Sequence, residues 1–300
     1  MDFEKTLLGI LSPEQLKIAE PMAKHTTFQV GGPADYYVTP NLAQLPEVIT
    51  LCEQNNVPWM VIGNGSNLLV SDKGIRGVVL SLGRPMSQIR TEGDRIEAEA
   101  GALLSVVAKE AYNRGLGGME FASGIPGTIG GALVMNAGAY GGEMKQILES
   151  VTVRTKDGTI ETWDVARYDG GYRTSEVMRQ GALVLSAVLS LHKAPQEDIK
   201  RTMDELKEKR TSKQPLEYPS AGSTFKRPEG QFAGRLIEDS GLRGYRVGGA
   251  QVSEKHCGFV INRGEATAED IRCLMDDVTK KVQQDSGITL EPEVRIIGEW

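Results

Sequence analysis

Two runs of this chain combine glycine with small polar donors in a way that suits phosphate. Gly63-Asn64-Gly65-Ser66-Asn67 offers backbone N–H groups that can approach an anion closely, and its Ser and Asn side chains add further donors. The second is Gly124-Ile125-Pro126-Gly127-Thr128-Ile129-Gly130-Gly131, continued by Asn136-Ala137-Gly138-Ala139-Tyr140-Gly141. Two such loops converging on one cleft would clamp a pyrophosphate and a flat ring between them. Each also suits a plain reading, a turn between strands or a tightly packed loop. The second run lacks the Gly-Lys-Ser/Thr ending of a nucleotide-hydrolysing loop. The first lacks the third glycine and ensuing helix of a dinucleotide fingerprint.

Other chemistry-bearing residues are dispersed. Ser223 lies in Ser220-Ala221-Gly222-Ser223-Thr224-Phe225-Lys226-Arg227, without a G-x-S-x-G context or a histidine near it in sequence, which argues against a serine hydrolase. His25, His192 and His256 are far apart and form no metal-ligand spacing. Taken alone, these histidines, Arg173 and Glu293 read as structural or solvated groups. Residues 211–263 hold eight basic and five acidic side chains in a chain whose formal charge is −6, which points to an anionic small ligand or to an ordinary charged surface.

The elements that must position these residues alternate in type. The first two dozen residues read as short helical pieces, with Ser12, Pro13 and Gln15 forming a capping box, and Gly31-Gly32-Pro33 then breaks the chain. Helical spacing follows over 42–54, strands over 59–62, 68–70, 77–82 and 95–100, and a helix over 102–114 ended by Gly115. The glycine-dense stretch 115–142 has no period, and such long irregular runs are usually functional. Asp157-Gly158 marks a hairpin over 151–164, an apolar strand covers 182–191, and a charged helix covers 196–210. Beyond the boundary at Thr211-Ser212-Lys213-Gln214-Pro215 the pattern is helix (233–240), strand (258–262), helix (268–284) and strand (294–297). Thr267 and Asp270 cap the long helix. The fold class is α+β, with lobes expected at 1–82, 83–210 and 211–300.

Composition narrows the class of function. Among 300 residues, 40% are hydrophobic and 25% charged, as in a folded globular protein, and the acidic balance argues against nucleic-acid or anionic-membrane partners. Cys52, Cys257 and Cys273 are scattered and odd in number, so neither a disulfide framework nor a cysteine metal site is expected. Asp2, Glu4 and a five-residue apolar run do not make an export signal, which gives a cytoplasmic expectation.

Taken in order, Thr26-Thr27-Phe28-Gln29-Val30-Gly31-Gly32, Gly63 to Asn67, Gly124 to Gly131, Asn136 to Gly141, Gly171-Tyr172-Arg173-Thr174-Ser175, Gly222 to Lys226 and Leu290-Glu291-Pro292-Glu293-Val294-Arg295 resemble one family, the UDP-N-acetylenolpyruvoylglucosamine reductases (UDP-N-acetylmuramate dehydrogenases). The short connection from Arg173 to Ser223 is similar to the family's second type, which lacks an inserted tyrosine-bearing loop. The resemblance implies a two-lobed FAD-binding fold of the vanillyl-alcohol oxidase and p-cresol methylhydroxylase type, plus a C-terminal substrate-binding domain. It implies non-covalent FAD, NADPH as hydride donor, and reduction of UDP-N-acetylglucosamine enolpyruvate in peptidoglycan precursor synthesis by a cytoplasmic monomer. By residue-to-residue transfer, Arg173 and Glu293 would stabilise an enolate-like species and Ser223 would donate a proton. FAD would be held by Gly63, Asn64, Gly65, Ser66, Asn67, Ser123, Ile125, Pro126, Gly127, Ile129, Gly130, Asn136 and Gly138. Tyr172, Gly222, Arg227, Arg243 and His256 would contact the UDP-sugar, and Arg227 stands where other members can have Asn.

Overall fold

The longest apolar strand of the chain, Leu183–Ser190, forms the middle of a five-stranded antiparallel sheet ordered Ile160–Asp164, Leu148–Arg154, Leu183–Ser190, Arg95–Glu99 and Ile89–Glu92. The structure, a computed structural model, describes residues 3–300. Alternation in the strands sets one sheet face inward: Val151, Val153, Ile96 and Ala98 are buried while their strand neighbours Glu97 and Thr152 are not. Helices Leu104–Asn113 and Ile129–Val134 lie against the Arg95–Glu99 strand of this sheet. The hairpin turn is the expected one, with Gly158 at φ +91° and the Thr159 N–H donating to Asp157 Oδ1 at 3.1 Å.

The chain divides into two compact units. Among the described residues, one comprises 3–17, 37–64 and 79–210; the other comprises 18–36, 65–78 and 211–300. The chain changes unit at Arg210–Thr211, and residues 18–36 and 65–78 cluster with the C-terminal residues instead of with the N-terminal ones that flank them. A four-stranded sheet is ordered Leu16–Pro21, Pro33–Val38, Ile75–Ser81 and Trp59–Ile62.

In the second unit a three-stranded antiparallel sheet (Arg246–Val247, Ala250–Val252, Val260–Asn262) packs on helix Ala268–Ser286. The helix buries Ile271, Leu274, Met275, Val278 and Val282 at three- and four-residue spacing, in one core with Phe28, Leu69 and Phe225. Its N-terminus is doubly secured. Thr267 and Asp270 form the expected capping box, and the Asp72 carboxylate accepts from the Ala268 and Glu269 N–H groups at 2.9 and 3.0 Å. Strand Arg295–Ile297 pairs in parallel with Leu68–Val70, which brings the end of the chain alongside the residues that follow the first glycine run.

Several elements differ from the sequence reading, among them three in the N-terminal and glycine-dense regions. Leu16–Pro21 is a strand within the region read as helical pieces, Pro33–Val38 is a strand directly after the Gly-Gly break, and Ile129–Val134 is a helix inside the glycine-dense stretch. Close packing accounts for one of its two glycines: a Cβ at Gly130 would lie 3.0 Å from Ala100 Cβ.

Candidate active site

The first glycine run has a backbone that suits an anion. Gly65 sits at φ +62°, and a side chain there would drive a Cβ to 1.9 Å from the His25 carbonyl oxygen. Among the described residues, the N–H groups of Asn64, Gly65 and Ser66 donate to no protein acceptor. Three consecutive unspent donors around a left-handed residue suit phosphate oxygens. Beside it in the second unit, the Thr27 N–H donates to Gly65 O at 3.3 Å, and the buried Thr27 hydroxyl oxygen has no partner among the described residues. A buried hydroxyl left unpaired is costly unless a ligand completes it. These features fit the pyrophosphate of a flavin dinucleotide. Thr27 was legible as part of a motif but not as a site residue, because an unpaired hydroxyl has no sequence signature.

Within the first unit the two glycine runs meet. Asn64 Nδ2 donates to Pro126 O at 2.8 Å, and a Cβ at Gly63 would lie 2.3 Å from Thr128 Oγ1. Ser123, Ile125 and Gly127 are half-buried around this junction. The Ile129 and Gly130 N–H groups are already spent on Ala102 O and Ala100 O at 2.9 and 2.8 Å, so these two residues shape the loop without offering backbone donors.

Asn136 is buried, and its side chain is fully committed to the protein. Its amide donates to Glu143 Oε2 (3.1 Å) and Gly171 O (3.0 Å), and its carbonyl accepts from Lys145 N (2.9 Å). Asn136 thereby ties the second glycine run to the Gly171–Thr174 turn, whose ends bridge each other. In this turn Arg173 adopts φ +54°, a left-handed conformation that costs a non-glycine residue about 1 kcal/mol or more. Its guanidinium lies 3.4 Å from Gly138 O and over the Tyr172 ring, and Tyr172 itself is exposed.

Ser223 and Glu293 belong to the second unit. Ser223 is exposed, yet its neighbour Thr224 is fully buried and anchored. Thr224 N–H donates to Gly258 O (2.9 Å), Thr224 Oγ1 accepts from Val260 N (2.9 Å), and Thr224 O accepts from Glu293 N (2.8 Å). Flanking pairs Phe225–Pro292 and Lys226–Glu291 extend this bridge. Asn67, from the first glycine run, donates through Nδ2 to Glu293 O at 3.0 Å. Hydrogen bonds, one from the Asn67 side chain and the rest along the backbone, therefore join Asn67, Glu293 and the Ser223 segment.

The residues assigned to the UDP-sugar also lie in this second unit, apart from Tyr172. Gly222 takes φ +76° immediately before Ser223. Arg227 is exposed and stacks on Phe232 at 4.4 Å. Arg243 is paired with Glu238 at 2.7 Å and bonds the Glu254 carbonyl. His256 Nδ1 accepts from Gly258 N at 3.1 Å, which leaves its proton on Nε2. Burial, with Arg243 and Lys213 nearby, pushes its pKa down against the opposing pull of Glu238.

Comparison with known proteins agrees with this arrangement. Residues 34–164 match the FAD binding domain family, and residues 214–297 match the C-terminal domain of UDP-N-acetylenolpyruvoylglucosamine reductase. The protein of that name from Agathobacter rectalis is 55% identical over 293 residues, covering 94% of this chain and 93% of the relative. One from Clostridium botulinum is 52% identical over 300 residues, covering 100% and 96%. The crystal structure of the Thermus caldophilus UDP-N-acetylenolpyruvylglucosamine reductase superposes with a TM-score of 0.81 at 36% identity, over 94% of this chain and 99% of that one. An alkyldihydroxyacetonephosphate synthase shares the fold alone, with a TM-score of 0.50 at 19% identity over 65% of this chain and 41% of its own. The fold is thus α+β, an FAD-binding domain of the vanillyl-alcohol oxidase type followed by a C-terminal domain. With both domain matches in order and relatives more than half identical along nearly the whole length, the chain belongs to the UDP-N-acetylenolpyruvoylglucosamine reductase family.

Proposed function

We propose that this chain is a flavin-dependent reductase that uses NADPH to convert UDP-N-acetylglucosamine enolpyruvate to UDP-N-acetylmuramate, acting as a cytoplasmic monomer in peptidoglycan precursor synthesis. Family membership supports the substrate class, and the FAD-binding match supports the cofactor. The observation that carries the reaction type is Ser223: an exposed hydroxyl on a backbone locked beside Glu293 through the buried Thr224.

The Asn64–Ser66 donors, the Thr27 hydroxyl and the Gly124–Gly127 loop would hold FAD. Bound FAD supplies hydride transfer from NADPH to the terminal carbon of the enolpyruvyl group. Negative charge then develops on the neighbouring carbon and its carboxylate. Arg173 offers that charge a cation, and its strained turn fixes where the guanidinium starts. Glu293 assists when protonated, by donating a hydrogen bond to the same carboxylate. Ser223 gives its hydroxyl proton to the carbon; a hydroxyl is a weak acid, but a carbanionic centre is basic enough to take the proton. Hydride on one carbon and proton on the other complete the reduction. Arg227 and His256, with Tyr172, would bind the UDP-sugar, whereas Arg243 would bring Glu238 with it.

Ser223→Ala separates the steps. NADPH-dependent bleaching of the flavin should proceed at near the wild-type rate, while reoxidation by the enolpyruvyl UDP-sugar should slow by about 10²–10⁴-fold. Equal slowing of both half-reactions would overturn the proton-donor role.

A further inference from the structure

Ser223 is carried on a departure from regular pairing at a sheet edge. Strand Val260–Asn262 ends the three-stranded sheet of the second unit, and two of its N–H groups are met from outside that sheet. Asn262 N–H donates to Pro219 O at 2.9 Å, and Val260 N–H donates to the Thr224 hydroxyl oxygen at 2.9 Å. A regular antiparallel partner paired through Pro219 would bring Ala221 O to Val260. Instead residues 221–223 loop out, with Gly222 at φ +76°, and a side chain further along supplies the acceptor. Extra residues of this kind re-aim side chains at sheet edges. Here Ser223 is left exposed, while Ala221 and Thr224 on either side are buried. Thr224 closes the loop with three groups. Its N–H donates to Gly258 O at 2.9 Å, its hydroxyl accepts from Val260, and its carbonyl accepts from Glu293 N–H at 2.8 Å. Valine in its place would keep the shape but leave the buried Val260 N–H without an acceptor.

We propose that Thr224 is a positioning residue for the proton transfer: its hydroxyl, standing in for the backbone carbonyl of a regular partner, holds out the loop that presents Ser223, while its carbonyl fixes that loop to the Glu293 backbone. This rests on the roles proposed above for Ser223 and Glu293. Being fully buried, Thr224 acts through these neighbours and not on substrate. Its loss therefore falls on the half-reaction that needs the proton and spares the half that reduces the flavin. Misplacing a reacting group by about 1 Å is enough to cost about 100-fold in rate.

The test uses the full-length, flavin-loaded protein and the variants Thr224→Val, Thr224→Cys and Thr224→Ser, with Ser223→Ala as the reference. Bleaching by NADPH and reoxidation by the enolpyruvyl UDP-sugar are each followed by stopped flow without oxygen. Thr224→Val should bleach at near the wild-type rate and be reoxidised about 10–100-fold more slowly. Thr224→Cys should behave in the same way, since sulfur is a weak acceptor, whereas Thr224→Ser keeps the hydroxyl and should restore reoxidation to near the wild-type rate. A purely structural role would lower the denaturation midpoint of Thr224→Val and leave both rates of the folded protein unchanged, and that outcome overturns the proposal. Equal slowing of both half-reactions overturns it too, as does a loss in Thr224→Ser as large as in Thr224→Val. If Thr224→Val does not fold, Thr224→Cys against Thr224→Ser carries the test, and wild-type reoxidation in both refutes the positioning role. Slow Ser223→Ala beside an unimpaired Thr224→Val removes that role alone. Ser223→Ala reoxidised at the wild-type rate would instead overturn the proton-donor reading, and the proposal with it.

Discussion

Gly65 concentrates several demands at one position. Its backbone is left-handed among three N–H groups without a protein acceptor among the described residues, and its missing side chain lets the His25 carbonyl approach. Gly65→Ala must then accept a left-handed alanine, at about 1–2 kcal/mol, together with a contact that backbone movement alone can relieve. We expect the variant to purify with less than half of the wild-type flavin, read from the ratio of visible to 280 nm absorbance; full flavin content would contradict the anion-turn assignment. The glycine runs were legible because glycine and small polar residues at close spacing report a backbone requirement directly. Asn136 shows the converse: its position in the motif suggests a cofactor contact, but its side chain is consumed in stitching one loop to the next.

Elements with an apolar period or a cap were legible, and their ends fall within a few residues of those expected. The Thr267 capping box starts its helix where expected, and Gly115 takes the left-handed conformation expected after Leu104–Asn113. The strand Leu16–Pro21 was hidden because only Glu20 of its six residues is buried, leaving no alternation to read. Pro33–Val38 was masked by the Gly-Gly-Pro that precedes it. What no local pattern could supply was the second cap of the long helix, since Asp72 is 196 residues from Ala268 in sequence. Asp72→Ala removes both carboxylate contacts at that helix start. It should destabilise the protein by about 0.5–2 kcal/mol, measured as a lowered denaturation midpoint. Full retention of stability would show that Thr267 and Asp270 suffice.

The residues to which the proposal assigns chemistry fall in both units. Arg173 and the second glycine run belong to the first; Ser223, Glu293 and Thr27 belong to the second. The first glycine run contains a crossing between them, at Asn64–Gly65. Segments 18–36 and 65–78, which look N-terminal in sequence, carry Thr27 and Asn67 into the unit that holds Glu293 and the Ser223 strand. A reading by contiguous segments separates these residues into different lobes, because local sequence does not encode which distant segment a strand will join. Among the described residues no helix is long and apolar enough to cross a membrane.

The most direct test of the account is an anaerobic titration of the purified protein followed by its visible spectrum. NADPH should bleach the flavin bands, and the enolpyruvyl UDP-sugar should restore them in a stoichiometric step before any air is admitted. Bands that return only on exposure to oxygen, or a protein that stays colourless after incubation with FAD, would contradict it.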